Sequence, residues 1–193
     1  MIVIPDKLLF FAGVFIAVGL LVVWLGRVKP YPWTFHARVT WVCDGDTVWV
    51  RTFWGRRLKL RLIGMDAPES NQNYGRESQR CLDRLVGGRF VKVTVICNDK
   101  YGRYVAKIMK GSTDVSLRMI EEGMAWAYVF SNVPKEDAKA YKAAAAKAKK
   151  EGKGLWYRGK PEAPWDYRRR QRTRWQRLWA AIVGFFRKLF GRS

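Results

Sequence analysis

The chain has 193 residues, with 37 Lys and Arg against 16 Asp and Glu and a formal net charge of +21. Apolar residues make up 49% and aromatics 15%, which excludes a disordered chain and allows one ordinary domain with terminal extensions. Such a charge selects a polyanionic partner, nucleic acid or anionic lipid, without separating the two.

At the N-terminus, Leu8 to Leu25 is an unbroken apolar run of 18 residues. As a helix it spans about 27 Å, close to the roughly 30 Å of a bilayer core. Lys7 precedes it, Arg27 and Lys29 follow it, and Trp24 lies near its end. The expected reading is an uncleaved, single-pass transmembrane anchor over residues 1–29. A cleavable signal peptide competes, but the run is long for an h-region and no small-x-small pattern follows. More positive charge follows the run than precedes it, a lean toward a cytoplasmic domain that leaves the side of the membrane open.

Pro30, Pro32 and Trp33 form a linker. Strands are expected over Phe35–Cys43, Thr47–Phe53 and Leu58–Met65, rich in Val, Ile, Leu, Trp and Thr, with a hairpin turn at Trp54-Gly55. Glu77–Leu85 reads as a helix stopped by Gly87-Gly88. Val91–Ile96 and Tyr104–Met109 read as strands flanking the Tyr101-Gly102 turn. Val115–Glu122 is a short helix ended by Gly123, Ala125–Phe130 a short extended segment, and Glu136–Lys150 a run of strong helix formers. Five short strands with interspersed helices predict an α+β fold built on a small barrel. From Arg168 on, Trp175, Leu178, Trp179, Ile182, Phe185, Phe186 and Leu189 recur at helical spacing among arginines. That basic amphipathic helix is expected to lie on an anionic membrane; packing on its own domain, or contact with nucleic acid, are the other readings. The expected organisation is an anchor at 1–29, a folded domain at 30–160 and a basic tail at 161–193.

The only histidine is His36, and Cys43, Cys81 and Cys97 lack C-x-x-C spacing, which argues against a zinc site. The cysteines read as reduced or buried thiols, with a Cys81–Cys97 bridge as the alternative. Two acidic turns are more informative: Asp44-Gly45-Asp46-Thr47 and Asp66-Ala67-Pro68-Glu69, each following an apolar strand. Separated by a hairpin, they could converge on one hard cation, and calcium takes oxygen ligands of this kind. Arg61 sits inside an apolar strand and Arg103 closes the turn Asp99-Lys100-Tyr101-Gly102-Arg103. Guanidinium groups can donate paired hydrogen bonds to phosphate oxygens, although a solvent-facing strand position accounts equally for Arg61. Hydrolysis of a phosphodiester needs a cation, such donors, and a carboxylate to activate or position water.

The ordered set D-G-D-T (44–47), L-R-L-I-G-M-D-A-P-E (60–69), Y-G (74–75), D-K-Y-G-R (99–103), G-M-A-W-A-Y-V-F (123–130) and G-L-W (154–156) resembles the staphylococcal nuclease family over about residues 36–157. The resemblance implies a five-stranded OB-type β-barrel with three helices, here preceded by the transmembrane helix and followed by the basic amphipathic helix. It also implies a calcium-dependent nuclease acting on DNA or RNA and leaving 3′-phosphate ends. By position, Asp46 and Asp66 would be the Ca2+ carboxylates, and Ala67, where the family usually has threonine, would ligate through its backbone carbonyl. Asp44 would tune the metal. Glu69 would be the general base or water-positioning group, and Arg61 and Arg103 the transition-state arginines. Lys100, Tyr101 and Tyr128 would hold the nucleotide's phosphate and base. The stretch from Ile96 to Asp99 is shorter than in the founding enzyme, which bears on substrate preference. Two other classes are weighed: a catalytically inactive nucleic-acid-binding module, and a membrane scaffold with an incidental barrel. Retention of Asp46, Arg61, Asp66, Glu69 and Arg103 favours the hydrolase. The expected partners are nucleic acid and membrane, with no obligate protein partner.

Overall fold

The computed structural model describes residues 31–99 and 101–190. Apolar residues in alternation build its five principal strands, β1 (Trp33–Val42), β2 (Thr47–Thr52), β3 (Arg57–Leu62), β5 (Phe90–Asn98) and β6 (Tyr104–Lys110). In β3, Leu58, Leu60 and Leu62 are buried while Arg57, Lys59 and Arg61 alternate outward, the period of two of a sheet with one dry face. Neighbouring strands run in the order β3-β2-β1-β5-β6. A parallel pairing of β3 with β6, Leu60 opposite Tyr104 and Leu62 opposite Ala106, then joins the two ends. The sheet therefore closes into a five-stranded barrel, which removes the free edges a flat sheet would expose. Val39, Val48, Val50, Leu60, Val93, Val95 and Ile108 are fully buried in its interior.

Short elements decorate the barrel. β7 (Thr113–Asp114) extends β6, and β4 (Met65–Asp66) pairs with β8 (Trp126–Ala127). Helices α1 (Gly75–Val86), α2 (Val115–Glu121) and α3 (Lys135–Lys150) follow, and α4 (Pro164–Phe190) ends the described chain. Asp114 caps α2 by accepting the backbone N–H of Leu117, and α2 packs on β6 and α3. The α+β class and the OB-type barrel with three helices agree with the sequence reading.

One buried side chain ties α3 to the loop beneath the acidic turns. Tyr141 is fully buried and its hydroxyl donates to Asp114 Oδ2 at 2.8 Å, so burial and that carboxylate hold the phenol above its ordinary range. Lys107 Nζ bridges Asp114 at 3.3 Å and Asp137 at 2.6 Å. The Tyr141 ring lies against Gly64, where an added Cβ would fall 2.2 Å from a ring carbon, and Gly64 has φ +74°. This explains a departure from the sequence reading. The single strand expected over Leu58–Met65 breaks after Leu62, because the left-handed residue turns the chain and lets β4 start a new pairing. Likewise only Trp126–Ala127 of the expected extended segment pairs as a strand.

Three further expectations are revised or fall elsewhere. The basic helix begins at Pro164 rather than Arg168, and its first turns pack on the barrel through buried Tyr167. Single-pass membrane localisation is not upheld: among the described residues, no helix is long and apolar enough to cross a membrane. The run Leu8 to Leu25 on which that expectation rested lies outside the described residues. Finally, all three cysteines are free thiols, so the Cys81–Cys97 bridge does not form. Burial raises the pKa of the Cys81 thiol above its ordinary value.

Gly64→Ala combines a positive φ with overlap against a fully buried ring. It should lower stability by about 1–3 kcal/mol, measured as a shift in the denaturant midpoint.

Candidate active site

The two acidic turns meet because of hairpin register. β2 and β3 pair with Thr47 opposite Arg61, and the Leu62 N–H donates to the Asp46 carbonyl at 2.8 Å. Gly45 lets the first turn lie against α1 and the second turn, since a Cβ there would sit 2.0 Å from Ser78 Oγ and 2.6 Å from the Ala67 Cβ. Within the turn, Asp44 Oδ1 accepts the Asp46 N–H at 3.0 Å. Asp46 in turn accepts the Thr47 hydroxyl at 2.8 Å and the Ala67 N–H at 3.2 Å. The two turns are thus hydrogen-bonded to each other.

Arg61 completes this arrangement. Its guanidinium donates to Asp46 Oδ1 at 2.9 Å and to Asp66 Oδ1 at 2.5 Å. Asp66 is fully buried and Asp46 nearly so. Two carboxylates buried this closely repel and are poorly solvated, and one cation between them offsets part of that cost. The offset is incomplete: burial, with Asp44 and Asp66 nearby, holds the Asp46 carboxyl up at about 7 against the pull of Arg61.

A cleft of about 730 Å³ opens above this cluster, and Asp46, Arg61, Ala67, Glu69, Tyr101, Arg103 and Tyr128 all line it. Asp66 lies beneath its floor and reaches the cleft through its hydrogen bonds. Arg103 donates through Nε to Asp99 Oδ2 at 2.7 Å and stacks its guanidinium over the Tyr101 ring at 5.5 Å. Asp99 is disfavoured by burial, yet hydrogen bonds from Arg103 and the Tyr101 N–H keep its carboxyl below the usual value. Tyr128 stands on the far wall, its N–H donating to the Gly64 carbonyl at 2.9 Å. Lys100 lies outside the described residues.

The structure adds a group that the sequence reading left in the tail. Arg168, from the second turn of α4, donates to Asp66 Oδ2 at 2.7 Å and to Glu69 Oε1 at 2.7 Å. Trp165, one turn earlier, packs on Tyr128 with ring centroids 5.6 Å apart. No local pattern announces these contacts, because 102 residues separate Arg168 from Asp66. The only signal was the arginine-rich composition of the segment.

Among the described residues, no three His, Cys, Asp or Glu side chains converge as a metal cluster. The donors that suit a hard cation are the carboxylates of Asp46 and Asp66 with the Ala67 backbone carbonyl, all oxygens. Burial is what chiefly holds the Asp46 carboxyl up at about 7, and a bound hard cation would offset that cost, so these oxygens fit it.

Fold and site together define an OB-type barrel whose mouth carries an acid–arginine cleft suited to phosphate. The staphylococcal nuclease homologue family matches residues 59–158, and the chain belongs to that family. Among its relatives, a protein named an uncharacterized endonuclease of Escherichia coli O157:H7 is 34% identical over 137 residues, covering 70% of this chain and 86% of that one. One of the same description from Haemophilus influenzae is 34% identical over 136 residues, covering 70% and 74%. A probable staphylococcal-like nuclease of Oryza sativa subsp. japonica is 37% identical over 131 residues, 68% of this chain. The chain covers only 32% of that plant protein's length.

Arg61→Gln would leave Asp46 and Asp66 buried without their shared cation. A loss of about 3 kcal/mol in unfolding free energy is expected from denaturant titration in chelator.

Proposed function

We propose that this chain is a calcium-dependent nuclease that hydrolyses phosphodiester bonds of DNA, RNA or both, cutting within strands. The observation that carries the reading is the cleft in which Asp46, Arg61, Glu69 and Arg103 stand around one space above Asp66. Its relatives are named as nucleases and endonucleases, which agrees with it.

In this reading Asp46, Asp66 and the Ala67 carbonyl would hold the calcium ion, with Asp44 tuning the first turn. When bound, the ion supplies positive charge to a phosphate oxygen and to the water beside it. Glu69 accepts a proton from the attacking water or orients it toward phosphorus. Arg61 and Arg103 aim the N–H donors not given to Asp46, Asp66 and Asp99 at the phosphate oxygens as negative charge builds there. Tyr101 and Lys100 hold the adjoining phosphate, and Tyr128 offers a ring to the base. The donor geometry is prepared by the Asp46–Arg61–Asp66 and Asp99–Arg103 pairs, so little reorganisation is required at the moment of reaction.

The test is cleavage of DNA and RNA by the purified chain with calcium and then with chelator, beside Glu69→Gln. Cutting that needs calcium and falls by about 10²–10⁴ in Glu69→Gln is the expected result. Tight binding without cutting would replace the hydrolase with a binding module.

A second expectation concerns the cation alone. Arg168 puts a positive charge on Asp66, a proposed ligand. Removing that charge in Arg168→Gln should tighten calcium binding about tenfold, read by calorimetry without substrate.

A further inference from the structure

We propose that one face of α4 forms a subsite for the single-stranded nucleic acid that flanks the scissile phosphate. The inference rests on the nuclease reading above and names where the strand goes beyond the cleft.

A groove of about 280 Å³ runs beside the cleft and is lined by Glu69, Asn71, Tyr167, Arg168, Gln171 and Trp175. Glu69 and Arg168 line both spaces, so the groove adjoins the cleft across their ion pair. Its wall is fixed to the barrel. Tyr167 is buried and donates its hydroxyl to the Asn71 carbonyl at 3.2 Å, and Gln171 donates to that hydroxyl at 3.0 Å. Arg168 ties the same turn to Asp66 and Glu69.

Helical spacing sets what the groove leads to. Arg168, Arg172, Trp175 and Trp179 stand at i, i+4, i+7 and i+11 and so share one face, a stripe about 16 Å long at 1.5 Å rise per residue. Trp175 is 67% and Trp179 69% exposed, far more than indoles that serve only the core. Arg169 and Arg170 are committed to Asp166 and Glu162. Among the described residues no carboxylate lies within ion-pair distance of Arg172.

Guanidinium groups next to the cleft, followed by exposed indoles along the same face, supply the two kinds of contact that the phosphates and bases of a strand require. Arginine takes the phosphate, and an exposed indole stacks on any base without reading its sequence. A lipid surface would be met by an apolar face with the charges on its flanks. Along the groove itself Arg168, Gln171 and Arg172 share the face with Trp175, and exposed aliphatic residues succeed them from Ile182 on, so the strand is the better occupant of this stretch.

The test compares the full chain with Arg172→Gln, Trp175→Ala and Trp175→Phe, in chelator so that nothing is cut. Each is titrated with a labelled single strand of about 12 nucleotides, within the reach of one OB fold, and with a dinucleotide. The preference for the long strand over the dinucleotide should fall about tenfold in Trp175→Ala and be largely kept in Trp175→Phe. Arg172→Gln should also lower the slope of log affinity against log salt by about 0.7, one phosphate contact on a single strand. An unchanged long-strand preference and salt slope in all variants would overturn the subsite while leaving the nuclease reading intact. So would variants that keep the strand but lose binding to phosphatidylglycerol vesicles, which would assign the face to lipid. Failure of the wild-type chain to bind the long strand would also overturn the subsite, while cleavage in calcium decides the nuclease reading separately.

Discussion

Two carboxylates buried side by side at the mouth of a barrel would drive the loops that carry them apart, and Arg61 is the group that prevents this. Its fork reaches Asp46 and Asp66 at once, from an outward position on β3 whose neighbours Leu60 and Leu62 are locked in the core. The geometry is rigid because its parts share supports. Strand pairing sets Thr47 against Arg61, and the Ala67 N–H hydrogen-bonds the first turn to the second. A guanidinium suits the place better than an ammonium would, since its planar donors meet two acceptors without leaving either buried oxygen unpaired.

Support for the second turn comes from the opposite side of the fold. Tyr141 on α3 packs under Gly64, and the Gly64 carbonyl accepts the N–H of Tyr128. One glycine thereby links a helix, the acidic turn and an aromatic wall of the cleft. The Asp114–Tyr141 and Lys107–Asp137 bonds anchor that helix with polar contacts that are half-buried and therefore persist where surface pairs would be screened. The barrel thus supplies a stiff frame, and the chemistry is placed on turns held from both ends.

The start of α4 enters this frame as a late addition in sequence but not in space. Arg168 shares Asp66 with Arg61, and Trp165 packs on both Tyr128 and Trp126. The helix brings positive charge to a cluster that is otherwise short of it. It also extends the wall of the cleft outward along a face of arginine and tryptophan.

The barrel and the ingredients of the site are written in local sequence patterns. Alternation in β1, β2, β3, β5 and β6 follows from the two-residue period of strands, and the D-G-D-T and D-A-P-E turns announce themselves through glycine, proline and paired acids. Gly64 escaped notice because a single left-handed residue leaves the apolar pattern around it intact, so the break before β4 was not legible. Arg61 was readable as a candidate, yet strand alternation alone left it equally a solvent-facing residue. Barrel closure sets it between Asp46 and Asp66, and docking of α4 brings Arg168 to Asp66 as well. Periodicity and turn chemistry are local and survive in the sequence. Ion pairing across 102 residues depends on barrel closure and helix docking, which no local pattern records.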